Sequence, residues 1–295
     1  MTRNVYFMVG PKVGHWGSAF LRAHQVKDLV ALPLARRNVS ASVTTNWQEP
    51  RNAVVILNKT AIHDYGLRLV ETLRAKGNVV ALDPVDAKIG PDRLGLADAV
   101  ISCSREQTET LRADAPGLEV HFVPHHVDLR ITPEPAQAET FSCGYFGAPD
   151  NGLHVQRIPG ELLTVVSASD AKNDDWMRRL AHHNCHYLIR NARHWDGYKP
   201  FTKGYIAAAK DAVVIVSAKD REAQLHLGPL YPYVYDVTTL EQAIESIEDV
   251  KASFGSSRWA TARDIMQDVK YVAGHDRVAA GFVNVILRLG ARIGF

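Results

Sequence analysis

The 295-residue sequence has few cysteines and no long apolar run. Cys103, Cys143 and Cys185 lie far apart, without CxxC or His-paired spacing, so neither a disulfide framework nor a zinc site is indicated. No stretch approaches the roughly 18 apolar residues of a membrane span. The apolar segment before Gly10 is too short for the core of a signal peptide. These absences predict a cytoplasmic protein.

The sequence also lacks an excess of charge. A formal net charge of +2 does not give the basic surface typical of nucleic-acid binding. No GxGxxG motif follows a predicted strand, because GPKVGHWG has the wrong spacing for a dinucleotide loop. No DxD motif occurs, so nothing indicates a metal-bridged diphosphate. We therefore expect no cofactor, no metal and no nucleic-acid partner.

Short apolar strands alternate with amphipathic helices along the whole chain. This alternation is typical of parallel sheets covered by helices. The predicted strands form two groups, 4–9, 53–58, 78–82, 99–102 and 120–123 in the first, and 142–146, 162–166, 185–189 and 212–216 in the second. The polar segment Thr132–Thr140, which contains prolines, separates the groups and is the predicted domain boundary.

The pattern predicts an α/β protein with two Rossmann-like domains, 1–132 and 141–275, facing one another across a cleft. Ligands of such sheets bind beyond the carboxyl ends of the strands. The remaining segment, 276–295, is amphipathic at helical spacing and has a basic face. We expect it to pack back on the N-terminal domain. The alternative is a peripheral contact of 277–295 with an anionic membrane, at the inner membrane face.

The segment WDGYKPFTKGYIAAAKDAVVIVS, residues 195–217, carries the strongest functional signal. A loop with Lys199 and Lys203 leads into a short helix and then an apolar strand. With Thr202 as the N-cap, unpaired backbone N–H groups, the positive helix end and two ammonium groups would converge on one diphosphate. The alternative is that both lysines are solvated loop charges.

Four segments occur in this order along the chain: ADAVISCSREQTETLR, VHFVPHHVDLRITP, CGYFGAPDNG and KPFTKGYIAAAKDAVVIVS, followed by LYPYVYDV. Together they resemble segments of glycosyltransferases of the GT-B fold, in particular retaining enzymes that use a sugar nucleotide. The resemblance implies a GT-B architecture and transfer of a hexose from a UDP- or GDP-linked donor. The acceptor would be a hydroxyl of a glycan, a lipid-linked sugar or a small molecule. Because DxD is absent, we expect metal-independent chemistry.

The chain departs from the family pattern at one point. Many retaining members carry two glutamates at this helix, and the matching positions here hold Tyr198 and Ile206. Some relatives with a KPPTK version of the segment also lack the glutamates. The departure keeps a catalytically weak or inactive homologue open as an alternative. A nucleotide-sugar epimerase or an oxidoreductase of the same two-domain shape is another.

The donor side of the site is predicted from the resemblance and from the positions of cations and glycines. Lys203 is also a predicted catalytic residue, which would stabilise negative charge on the leaving diphosphate. Arg190, at the end of an apolar strand, would supply a second cation; the alternative is a surface ion pair. The predicted donor-binding residues are Gly147, Ala148, Arg190, Tyr198, Lys199, Thr202 and Lys203.

The acceptor side is predicted around the first strand-to-helix loop. The predicted acceptor contacts are Gly14, His15, Trp16 and Lys59, where Trp16 would stack on a sugar. The predicted catalytic residues on this side are His15, Asp83 and Asp86, of which the aspartates would hold or deprotonate a hydroxyl. Packing and turn capping are the alternatives for these side chains. The adjacent His125 and His126 diverge on an extended segment, so we do not expect them to share a metal.

Overall fold

The computed structural model describes residues 3–132, 134–168, 174–191 and 198–295. The chain forms two compact units, Met1–His126 with Gly274–Phe295, and Val127–Ala273. Each unit is built on one parallel sheet. The predicted α/β fold with two parallel sheets is therefore confirmed.

The first unit contains a six-stranded sheet in the order β2-β1-β3-β4-β5-β6. Its strands are β1 (Arg3–Met8), β2 (Val39–Thr44), β3 (Val54–Asn58), β4 (Val79–Asp83), β5 (Ala99–Ser102) and β6 (Val120–Phe122). The sequences VVILN and VVALD of β3 and β4 are buried along their whole length. Such continuous apolar strands are expected where helices cover both faces of a sheet.

The helices of the first unit follow the strands as the alternating pattern predicts. They are α1 (Gly17–Ala19), α2 (Val26–Ala35), α3 (Lys59–Tyr65), α4 (Arg68–Arg74), α5 (Pro91–Leu94), α6 (Arg105–Asp114) and the final helix α12 (His275–Gly290). A π-helical segment, Phe20–Gln25, joins α1 to α2. Gly66, with a φ of +75°, ends α3, since a left-handed backbone stops the helix there.

The second unit contains a five-stranded sheet in the order β11-β10-β9-β7-β8. Its strands are β7 (Cys143–Phe146), β8 (Thr164–Val166), β9 (Cys185–Tyr187), β10 (Val213–Ser217) and β11 (Val234–Tyr235). Its helices are α7 (Asp175–Arg179), α8 (Thr202–Ala209), α9 (Arg221–Leu227), α10 (Leu240–Ala252) and α11 (Ser257–Val272). The segment predicted as a boundary lies within this unit, where Ala136 N donates to Lys210 O and Gln137 N to Ala181 O.

The strand order places a switch point in each sheet. In the first unit, β1 and β3 are neighbours, and the strands that follow them lie on opposite sides. In the second unit, the same holds for β7 and β9. The chain leaves the two central strands in opposite directions, which opens a crevice at their carboxyl ends.

The C-terminal helix α12 packs on the sheet of the first unit. Its apolar stripe is buried in the same core as β1 and α2, and Phe282 meets Phe7 edge-to-face with ring centroids 6.2 Å apart. On its polar face, Arg288 and Arg292 form ion pairs with Glu119. The apolar stripe that a membrane contact through 277–295 would need is therefore covered by the protein itself. Among the described residues, no helix is both long and apolar enough to cross a bilayer.

Phe282→Ala should destabilise the protein by about 3–5 kcal/mol, because the change removes a fully buried ring from a packed core. Urea unfolding monitored by circular dichroism measures this loss. Asn284→Ala, on the exposed face of the same helix, is the matched control and should leave the midpoint nearly unchanged. Equal stability of the two variants would show that α12 is not part of the core.

Candidate functional site

The carboxyl ends of β7 and β9 bring three chemical groups together. Gly147 directly follows β7, and Arg190 lies shortly after the end of β9. Lys203 is the second residue of α8, the helix that follows β9 along the chain. A glycine loop, a guanidinium and an ammonium thus meet at the switch point of the second sheet, where open α/β sheets bind ligands.

The ammonium of Lys203 lies on an aromatic ring. Its Nζ is 4.0 Å from the centroid of the Tyr145 ring, a cation–π contact. The Tyr145 hydroxyl donates to Ala148 O at 2.8 Å and so fixes the ring. Gly147 has a φ of +152°, and a Cβ at this position would lie 2.6 Å from Lys203 Nζ. Glycine therefore leaves the room that the ammonium occupies.

Arg190 is held by contacts of its backbone and of its guanidinium. Its backbone forms a bridge with Gly152, next to the β7 loop. Its Nη2 donates to Pro200 O at 3.3 Å, and its Nε lies 3.7 Å from Asp220 Oδ2. The side chain is only 16% exposed, so the guanidinium has a defined place beside Lys203.

The charges at this site are not balanced. Burial and the neighbouring charge of Arg190 lower the pKa of Lys203 to about 7. His186, a further titratable neighbour, is buried, and burial lowers its pKa to about 3, so it is neutral near pH 7. Within the described ranges, no carboxylate forms an ion pair with Lys203. Because a desolvated cation without a counter-charge is costly, this site favours a bound anion.

The prediction that Thr202 is the N-cap of α8 is wrong. Phe201 occupies the N-cap, and Thr202 is the first residue of the helix. The Phe201 ring folds beneath the first turn against Gly204, where a Cβ would lie 2.1 Å from Phe201 Cε1. The Phe201 side chain forms no cap hydrogen bond at the helix start. Its backbone N–H groups and the positive end of the helix dipole therefore add to the two cations.

The other predicted donor residues, Tyr198, Lys199 and Ala148, lie next to α8 or in the loop after β7. Tyr198 and Lys199 are half-buried and precede α8. Ala148 O accepts from the Tyr145 hydroxyl and from Asn151 N, so this carbonyl is used within the loop. The start of the predicted segment, 195–197, lies outside the described residues.

The loop after β1 in the first unit is fixed by one carboxylate. Asp64 Oδ2 accepts from Lys12 N at 2.7 Å and from Val13 N at 3.1 Å. Gly14 is required by close approach, since a Cβ there would lie 2.4 Å from Gly10 O. The predicted acceptor loop thus has a defined backbone, and His15 projects from it with an exposed side chain.

Three of the predicted acceptor-side residues come together beside this loop. Lys59 and Asp86 form an ion pair, with side chains 26% and 13% exposed. Lys59 Nζ lies 5.9 Å from the Trp16 ring centroid, and the Trp16 ring lies 5.2 Å from that of His63. An aromatic face, an ammonium and a carboxylate are therefore adjacent at the carboxyl edge of the first sheet.

Asp83 does not belong to this accessible group, which corrects the prediction that it acts on an acceptor. It forms an ion pair with Arg22 at 2.8 Å, and both side chains are 0% exposed. Arg22 Nη1 also donates to Val123 O and Pro124 O, each at 2.9 Å. Burial raises the pKa of Asp83, an effect that Arg22 opposes. Asp83 is an internal residue that ties β4 to the π-helical segment and to the end of β6.

The two crossover histidines are also internal. His126 Nε2 is 2.7 Å from Gln25 Oε1, and burial holds the pKa of His125 well below its usual value. Among the described residues, no group of three or more His, Cys, Asp or Glu side chains is arranged to hold a metal ion.

The lowered pKa of Lys203 predicts a pH-dependent stability difference from Lys203→Met. Between pH 7 and about 10.4, lysine is charged in the unfolded chain and neutral in the fold, so wild-type stability should rise with pH in this window. Below pH 7, Lys203 is charged in both the folded and the unfolded protein, and the cost of burying the charge lowers the stability of the fold in full. Urea unfolding of both proteins should therefore show the variant's advantage shrinking from pH 6.5 to pH 9. A constant difference would contradict a desolvated Lys203.

Comparison with models of protein families finds no match, and comparison with curated protein sequences finds none. Solved structures, by contrast, are similar over nearly the whole chain. HepE from Anabaena, in complex with UDP, matches with a TM-score of 0.65 and 11% identity over 97% of this chain and 100% of its own. Sucrose-phosphate synthase from Thermosynechococcus elongatus matches with a TM-score of 0.65 and 12% identity, over 98% of this chain and 100% of its own.

The lipopolysaccharide outer core galactosyltransferase WaaB matches with a TM-score of 0.63 and 9% identity over 97% of this chain and 99% of its own. At these identities the similarity concerns the fold. The chain has the α/β fold of the GT-B glycosyltransferases, with two Rossmann-like domains.

Proposed function

We propose that the protein is a glycosyltransferase that binds a nucleoside diphosphate sugar and transfers the sugar to an acceptor hydroxyl. One observation carries the proposal: the Lys203 ammonium lies at the switch point of the second sheet beside Arg190, with no carboxylate paired to it in the described part of the chain. A diphosphate supplies the missing negative charge. Nucleotides bind at this place in open α/β sheets, and HepE, which shares the fold, has been solved with UDP.

The same groups suit the chemistry of the leaving diphosphate. As the glycosidic bond breaks, negative charge develops on the diphosphate oxygens. Lys203, Arg190 and the uncapped start of α8 are preorganised to stabilise this charge, the role that a metal ion fills elsewhere. Gly147 leaves room for the Lys203 ammonium beside the loop after β7, since a Cβ at this position would lie 2.6 Å from Lys203 Nζ. Turnover that persists in EDTA would support this metal-independent chemistry, and loss restored by Mg²⁺ or Mn²⁺ would overturn it.

The acceptor binds, in this proposal, at the carboxyl edge of the first sheet. Trp16 offers an aromatic face for a sugar ring. Asp86 and Lys59 offer an acceptor and a donor of hydrogen bonds for its hydroxyls. His15 extends from the fixed loop towards solvent and supplies a further contact.

The finer assignment concerns the substrates. HepE has also been solved with UDP-glucose, which favours a UDP-linked hexose, with a GDP-linked sugar as the alternative. We propose a glycan, lipid-linked or small-molecule acceptor, retention of configuration at the transferred sugar and a cytoplasmic location.

A second candidate function is nucleotide binding without efficient transfer. Ile206 packs against the core of the second unit, and Tyr198 precedes α8, so neither supplies the carboxylate that many retaining enzymes have here. Incubation with UDP- and GDP-sugars separates the two functions. An enzyme releases nucleoside diphosphate, slowly by hydrolysis or faster with an acceptor, whereas a binding protein gives calorimetric binding alone.

Lys203→Ala should weaken the binding of UDP or GDP by at least about tenfold, because it removes a charge-assisted contact from a desolvated site. Isothermal titration calorimetry measures the change. Lys251→Ala removes a lysine from the exposed face of α10 and should leave affinity unchanged. Unaltered affinity in a folded Lys203→Ala protein would exclude this placement of the diphosphate.

A further inference from the structure

A buried polar cluster lies behind the first turn of α8. Glu222 and His226 occupy successive turns of α9, and their side chains are only 2% and 1% exposed. His226 Nε2 lies 3.0 Å from Glu222 Oε1 and 3.0 Å from the hydroxyl of Tyr205, a residue of α8. The cluster therefore links α9 directly to the helix that carries Lys203.

The His226 ring also holds the residue before α8. The Phe201 ring stacks on it, with centroids 5.4 Å apart and planes inclined by 7°. Phe201 in turn lies against Gly204, which has no Cβ to displace it. Because His226 contacts Phe201 by stacking and Tyr205 by a hydrogen bond, it fixes both ends of the turn that presents Lys203.

The other end of α9 reaches the second cation. Asp220, the N-cap of α9, accepts from Ala223 N through Oδ1 at 3.0 Å. Its Oδ2 lies 3.7 Å from Arg190 Nε. A single short helix thus contacts the supports of Lys203 at one end and Arg190 at the other.

Simple packing does not account for a buried carboxylate and imidazole at this place. Burying such groups is costly, and apolar side chains of similar volume often stabilise a core as well or better. What hydrogen-bonded groups add is a defined geometry, since each bond fixes a distance and a direction. Precise placement matters most where a charge must meet a ligand atom within a fraction of an ångström.

We propose that His226 is a positioning residue for the donor diphosphate: through Phe201 and Tyr205 it sets the first turn of α8, and with it the Lys203 ammonium above Gly147. The proposal rests on the proposed function, since it assumes that a diphosphate binds to Lys203. His226 itself does not touch the ligand.

A double-mutant cycle with UDP as the probe tests this role. His226→Phe keeps a ring for stacking and removes the hydrogen bonds. We expect it to weaken UDP binding about tenfold in the wild-type background and by less than about twofold in the Lys203→Met background. His226→Gln, whose amide can still bond to Tyr205 or Glu222, should recover most of the affinity. His121→Phe, which removes a histidine–glutamate pair in the first unit, is the matched control.

The outcomes separate the two proposals. If wild-type protein binds UDP but His226→Phe weakens binding equally in both backgrounds, or not at all, His226 is merely structural and the positioning role is overturned. If the Phe variant does not fold, the same cycle with Glu222→Gln decides: weaker UDP binding in the wild-type background with little effect in the Lys203→Met background supports the proposal, and equal effects in both backgrounds overturn it. If wild-type protein binds neither UDP nor GDP, the proposed function itself fails, and this inference fails with it.

Discussion

The positive charge of Lys203, which no carboxylate pairs in the described part of the chain, is the constraint on which the candidate site of the second unit depends. A desolvated ammonium is tolerated where its surroundings compensate for lost water. Here the Tyr145 ring gives part of that compensation, and the pKa of about 7 shows that it is incomplete. The absence of a side chain at Gly147 leaves room for this ammonium. Phe201, the N-cap residue of α8, forms no cap hydrogen bond with its side chain, which leaves backbone N–H donors for an anion.

In the first unit, by contrast, the charged side chains at the sheet edge form ion pairs. At the carboxyl edge of its sheet, Asp83 is paired with Arg22, and Asp86 with Lys59. The buried Arg22–Asp83 pair fixes secondary structure, whereas the Lys59–Asp86 pair keeps some exposure beside Trp16. Paired charges of this kind suit a neutral, hydroxyl-bearing ligand better than a diphosphate. The two sheet edges thus differ in the chemistry they offer, as donor and acceptor would require.

Much of the fold was predictable because continuous apolar strands alternate with amphipathic helices. β3, β4, β5 and β10 were predicted to within about a residue, since their sequences are buried on both faces. β2 was missed: VSASVT is half-buried and polar on alternate residues, and only the short turn 36–38 separates it from α2. α11 was also missed, because its charged and aromatic residues give a weak apolar stripe.

The site was predictable by region but not by geometry. The importance of Lys203 followed from its position at a helix start, yet Thr202 was mistaken for the N-cap because the sequence does not show that Phe201 folds beneath Gly204. Asp83 looked equivalent to Asp86, since both closely follow the predicted strand 78–82. What separates them is Arg22, a partner 61 residues away, on a π-helical segment that local patterns do not reveal. His226 and Glu222 gave no signal beyond helical spacing.

A crystal structure of the protein with UDP tests the central claim most directly. The account predicts the diphosphate above Gly147, with its oxygens within hydrogen-bond distance of Lys203 Nζ, the Arg190 guanidinium and the first backbone N–H groups of α8. A diphosphate bound elsewhere, with the Lys203 ammonium still on the Tyr145 ring and in contact with no phosphate oxygen, would contradict it.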